Sequence, residues 1–187
     1  TCVSAATGAG TRCSTATTTM NYLYDFDPAH AFTVGTVGKP GQRTFYIQAQ
    51  RGRELATFLA EKEQIRALGV ALDRLSDEII ADNPLLSAND DAVHIRDMSL
   101  REPLEAVFRV VQLGIGYDVD RDMCVVILNG VADDENEEAP AARISIPRDY
   151  MRGLSQHIAA VVAGGRKICG NCGRPKDPDG HFCPQMN

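Results

Sequence analysis

One order of segments runs through this chain twice, and it leaves few folds open. From Met20, strand patterns follow one another until a helix takes over, and then the same order begins again. In the first run, "NYLYDFD" (21–27) alternates large apolar with polar residues, as a half-buried strand requires. "AFTVGTVG" (31–38) and "RTFYIQAQ" (43–50) flank the turn "KPGQ", whose Pro40 and Gly41 occupy the two central positions that a type II turn prefers. Gly52 breaks the returning strand before "ELATFLAE" (54–61). From about Lys62, Ile65, Leu68, Leu72, Leu75 and Ile79 recur at three- and four-residue spacing, which predicts a helix ending at "NPLL".

The second run reads in the same way. "AVHIRD" (92–97) predicts a short strand and "EAVFRVVQLGIGYD" (105–118) a long one that turns at "VDRD". "MCVVILNGV" (123–131) returns, the acidic "DDENEE" (133–138) makes a solvated loop, and "ARISI" (142–146) precedes a helix. Pro147 opens that helix, since its missing N–H would be unpaired in a first turn anyway. The two helix starts match as well: "KEQIRAL" (62–68) lies over "RDYMRGL" (148–154), with Ile65 on Met151 and Leu68 on Leu154. Both an internal duplication and two unrelated sheet-plus-helix halves fit the pattern. Either gives the α+β class with antiparallel sheet, as two four-strand-plus-helix units.

The stretch "CGNCGRPKDPDGHFCP" (169–184) obeys neither period. With Phe182 its single aromatic, it lacks the apolar surface to order itself. Its spacing is C-x2-C-x8-H-x-C. A Cys-x-x-Cys pair in a glycine-containing turn can aim two thiolates at one cation, and zinc prefers four such ligands in a tetrahedron. Cys169, Cys172, His181 and Cys183 are therefore candidate ligands of one structural Zn2+, with no corner left for water. Binding free energy of roughly 10–16 kcal/mol for structural zinc would replace the missing core. A redox Cys-x-x-Cys pair and a tail of incidental reduced cysteines are the competing readings. Ile168 and Phe182 are the large apolar groups with which this tail could dock on the body.

Six cysteines in 187 residues, three of them in that tail, do not read as a disulfide framework, and a reducing, cytoplasmic setting fits best. Cys124, in "MCVVIL", reads as a small buried apolar residue. Residues 1–19 are Thr-, Ala- and Ser-rich without period and are expected to be disordered, with Met20 a more natural start than Thr1. The division is then 1–19 extension, 20–166 duplicated α+β body and 167–187 zinc knuckle. Neither a membrane span nor a secretory signal is expected.

"FTVGTVGKPGQRTFYIQAQ" together with "CGRPKDPDGHFCP" resembles the bacterial domain-of-unknown-function family 3090, from about Met20 onward. The resemblance implies a cytosolic protein ending in a zinc knuckle, and it implies no activity. The element order is also similar to that of whirly and Pur-type nucleic-acid binders, a likeness of architecture that does not give function. It directs attention to Arg43, Phe45, Tyr46, Arg51 and Arg53 around the first sheet, where basic and aromatic residues mix as single-strand binding needs. The bland reading keeps Phe45 in the core and the arginines in solvent, and a net charge of −6 favours it.

For an enzyme, no Gly-x-Ser-x-Gly elbow, P-loop or His-Glu-x-x-His motif occurs. His30, His94 and His157 lie on separate segments, and Asp25 with Asp27 form a weak pair. The favoured expectation is a non-catalytic zinc-binding protein that serves as a binding or adaptor module with a protein partner. A single-stranded nucleic-acid binder is the alternative, and an enzyme whose site is assembled from sequence-distant residues is a third.

Overall fold

The computed structural model describes residues 22–89, 97–132, 138–165, 169–174, 176 and 181–185. Among these residues, eight strands and two helices follow in the order β1 (Tyr24–Phe26), β2 (Ala31–Val37), β3 (Thr44–Arg51), β4 (Glu54–Ala60), α1 (Lys62–Asp82), β5 (Ala106–Arg109), β6 (Gln112–Asp118), β7 (Met123–Asn129), β8 (Ala141–Pro147) and α2 (Arg148–Ala163), with a 3₁₀ turn at Pro84–Asn89 after α1. The strands make two four-stranded sheets, ordered β2-β3-β4-β5 and β1-β8-β7-β6. Three strands of each sheet are an antiparallel meander from one half of the chain. The fourth comes from the other half and pairs in parallel, β5 on β4 and β1 on β8.

This corrects the expected pair of purely antiparallel units. The long strand expected over 105–118 breaks at two consecutive valines. Val110 N–H donates to Leu59 O in one sheet (2.8 Å), and Val111 N–H donates to Asn129 O in the other (2.9 Å). The first half crosses over in the same way. Ala29 N–H reaches Ser145 O of β8, and His30 N–H reaches Gln50 O of β3, both at 2.8 Å. A buried N–H must find an acceptor, so the chain changes sheets without a gap in its ladder. Residues 92–96 of the other expected strand, and residues 1–19, lie outside the described residues.

The helices lock the exchange. Gln64, in the first turn of α1, accepts the Glu61 N–H (2.8 Å) and donates to Val110 O (3.0 Å), which fastens the second half's crossover. Tyr150, in the first turn of α2, donates its hydroxyl to Phe32 O (2.7 Å) at the start of β2. Pro147 ends β8 and stands at the N-cap of α2, one residue ahead of the expected first-turn place. α1 packs along α2 and against β6, whereas α2 reaches β2, β7 and β8. Ile65, Leu68, Met151 and Leu154 are all fully buried, in a core with Phe32, Phe58, Ile144 and Ile146. Each such side chain contributes roughly 1.5–3 kcal/mol of burial.

The turns follow their glycines. Gln42 N–H donates to Lys39 O (2.9 Å), and Gly41 has φ +99°, as the "KPGQ" turn requires. Arg51 pairs with Glu54 across a two-residue loop that begins at Gly52 (φ +60°), the glycine-first pattern of a type II′ hairpin.

Candidate metal centre

Past α2 the chain turns at Gly164 and Gly165, and the described residues resume at Cys169. Cys169 O accepts the Gly173 N–H (2.9 Å), and Cys169 N–H donates to Arg174 O (2.8 Å). That loop closes because Gly173 takes φ +68°, a conformation that a Cβ would strain. It leaves Cys169 and Cys172 on one side. His181 and Cys183 follow further along the chain, with Phe182 between them.

The four side chains converge. One ligand atom from each of Cys169, Cys172, His181 and Cys183 lies within 4.8 Å of the other three. Cys169 Sγ is 3.9 Å from Cys183 Sγ, and Cys172 Sγ is 3.4 Å from His181 Nε2. These residues could hold one four-coordinate ion, and among the described residues they form the single such group of Cys, His, Asp and Glu. The backbone N–H groups of Cys172 and Asn171 pull the Cys169 thiol down to about 6. At Cys183 the Gln185 N–H pulls the other way from burial and the neighbouring thiols, which together leave it above its ordinary value. Cys124 is a contrast: fully buried in β7, its thiol is pushed up to about 12 by burial, an inert core residue as its sequence context suggested.

Phe182 does not dock. It stands 74% exposed, which removes one of the two expected anchors of the tail, while Ile168 lies outside the described residues.

The sheet residues read as a nucleic-acid face are scattered. Arg43 donates to Val161 O at the end of α2 (3.1 Å) and stacks over Phe45, itself buried. Arg51 and Arg53 sit at the opposite end of β3, where Arg51 donates to Asp25 O (3.3 Å). Tyr46 is half-buried on the face it shares with Gln48, and the segment before β5 runs across that face. Thr33 donates to Met98 O (2.6 Å), Gln48 exchanges two hydrogen bonds with the Arg101 backbone, and Leu100 fills the space over Gly35.

Nor do the acid–base candidates meet in a cleft. Asp25 binds Arg143 through two bonds of 2.9 and 2.7 Å, and Asp27 binds Arg121 through two of 2.9 and 2.6 Å. The Arg121 guanidinium holds the Asp27 carboxyl below its usual range. His30 Nδ1 accepts the Gly52 N–H (2.8 Å), His157 Nε2 lies 2.7 Å from Val34 O, and His94 is outside the described residues. Sequence reasoning missed the arginine partners, because a pairing over about a hundred residues leaves no local pattern. It also missed Asp122, which binds Tyr117 and the buried Arg148 and ties the β6–β7 turn to α2. Burial and Asp122 push the Tyr117 phenol up to about 12.

The model of a family described as protein of unknown function (DUF3090) matches residues 24–183, a span that holds all eight strands, both helices and the four clustered side chains. No curated protein and no solved structure matches the chain. No helix among the described residues is long and apolar enough to cross a membrane.

Proposed function

Because the chain belongs to the DUF3090 family, whose function is unknown, its role has to be read from its own residues, and we propose that it is a zinc protein that works by binding rather than by catalysis. The observation that carries this reading is a ligand set complete in itself. Three sulfurs and one imidazole nitrogen lie within 4.8 Å of one another. With Zn–S near 2.3 Å and Zn–N near 2.0–2.1 Å, tetrahedral edges come to about 3.8 Å between sulfurs and about 3.6 Å between sulfur and nitrogen. The distances of 3.9 and 3.4 Å fit those edges. Soft thiolates select zinc over magnesium or calcium, and a fourth protein ligand leaves no open position for a substrate. Zinc here would hold the knuckle in shape and supply no chemistry of its own.

The body (20–166) is then a scaffold and the knuckle (167–187) a metal-pinned attachment that presents a surface to a partner protein. We take the body to be an internal duplication. Two equal crossovers, two exchanged strands and two helices that begin alike all support it, as does the burial of Ile65 with Met151 and of Leu68 with Leu154. Free thiols suit a reducing compartment, the cytoplasm among them.

Elemental analysis of purified protein tests the metal. About one zinc per chain is expected, falling to near none in Cys169→Ser with Cys172→Ser. Protein without metal, or full zinc in that double variant, sinks the proposal.

A further inference from the structure

Continuing the match of 62–68 with 148–154 along both helices sets Arg66 over Arg152, Gly69 over Ser155, Asp73 over Ala159 and Asp77 over Ala163. The two arginines hold like places on the helix pair, yet their surroundings differ. Arg152 reaches from α2 to Asp73 (3.4 Å) and Asp77 (3.0 Å) of α1. Opposite Arg66, the places of those two carboxylates in α2 are taken by Ala159 and Ala163. Among the described residues Arg66 pairs with Glu63 of its own helix (2.8 Å), an exposed contact of the kind worth little.

A hollow of about 410 Å³ lies at that place between the helices. Val70, Ile158, Ala159, Val162 and Ala163 make its lining mostly apolar, and Val70 is 53% exposed. Arg66 lies one turn before Val70 and Asp73 one turn after it, so their positions are about 10 Å apart along α1. The Asp73 end is already occupied by Arg152 and by Ser155 Oγ (3.5 Å).

The Arg66 end carries a second cation. Lys62 is exposed one turn ahead of it, and its Nζ lies 3.8 Å from where a Cβ on Gly165, just past α2, would stand. Two cations at i and i+4 in the first turns of a helix repel each other and oppose the helix dipole. An anion held between them relieves both costs.

We propose that this hollow binds a small monocarboxylate with an apolar body, an alkyl or aryl acid. Its carboxylate sits on Arg66 and Lys62, as Asp73 and Asp77 sit on Arg152, and its body lies against Val70, Ala159 and Val162. A guanidinium fork matches a carboxylate better than it matches other small anions of one charge, because two parallel N–H groups meet two oxygens. The volume falls within the range of small-molecule sites, whereas a stable protein partner needs roughly 800 Å² of matched surface on each side. The hollow and its charges involve neither the metal nor a common origin of the two halves, so the site stands apart from both of those readings.

Amide chemical shifts of the labelled protein during titration with octanoate test it. Octanol supplies the same body without the charge, and acetate the charge without the body. Saturable shifts are expected at Gly69, Val70, Ala159 and Val162 with octanoate, with binding at least about tenfold weaker for octanol, for acetate and for octanoate on Arg66→Gln. Ala159→Asp puts a carboxylate opposite Arg66, as Asp73 stands opposite Arg152, and should exclude octanoate to a similar degree. Ala159→Leu fills the hollow without charge and should weaken binding as well, which keeps the test open should Ala159→Asp misfold. Octanol as strong as octanoate, shifts that do not saturate, or octanoate binding indifferent to Arg66→Gln and Ala159→Leu would overturn the proposal. Shifts at these helices that follow protein concentration instead of octanoate would overturn it too, in favour of a contact between copies.

Discussion

Asp27 shows how much of a site's meaning depends on partners that the sequence does not display. Beside Asp25 in an acidic chain it reads as a possible acid–base pair, yet each carboxylate is held by an arginine some hundred residues away. Its side chain is only 14% exposed, and Arg121 keeps its pKa below the ordinary 3.8. A depressed carboxyl stabilises the fold above the unfolded value and ceases to do so as pH falls through the folded one. Asp27→Asn should therefore cost about 1–2 kcal/mol at neutral pH, discounted for the exposure of Arg121, and almost nothing in strong acid. Urea unfolding at the two pH values checks this, and an equal cost at both would refute the pairing. The clustered Cys and His side chains are the opposite case. Cys169, Cys172, His181 and Cys183 lie within fifteen residues of chain, so spacing alone brings them together and the cluster was fully legible.

At the scale of elements, the helices and hairpins were legible because their causes are local: apolar periodicity, glycine-bearing turns and a proline. Strand partners were not. Alternation tells which face of a strand is buried and says nothing of which strand lies beside it, so the break at Val110–Val111 leaves no mark in what reads as one long strand. The parallel pairing of β1 with β8 is invisible for the same reason. Contact between the two helices was not foreseen either, and Gly69 carries it. A Cβ there would come within 2.7 Å of Ile158 Cγ2, on a stiff and buried β-branched side chain. Alanine is worth about 1 kcal/mol over glycine in a helix, whereas the overlap costs about 1–3 kcal/mol. Gly69→Ala should thus destabilise the wild type slightly, yet stabilise an Ile158→Ala background where the obstacle is gone. Denaturant midpoints of the four proteins decide it; stabilisation in both backgrounds would place the helices farther apart than they are here.

For the whole molecule, stability and presentation divide between two sources. The core runs through both sheets and both helices and includes neither Phe182 nor the four clustered Cys and His side chains. Chelation should accordingly release the knuckle and leave the thermal unfolding of the body nearly unchanged; hydrogen exchange would show protection lost only beyond Gly165. Collapse of the whole fold on chelation would mean that the tail supports the body. The net charge of −6 and the scattered sheet arginines weigh against a long nucleic-acid track on this surface. Everything said of the knuckle depends on what lies among its four ligands. X-ray absorption at the zinc edge reads that shell directly, and three sulfurs at about 2.3 Å with one nitrogen at about 2.0–2.1 Å is the result this account requires. A shell containing water oxygen, or fewer than three sulfurs, would contradict it.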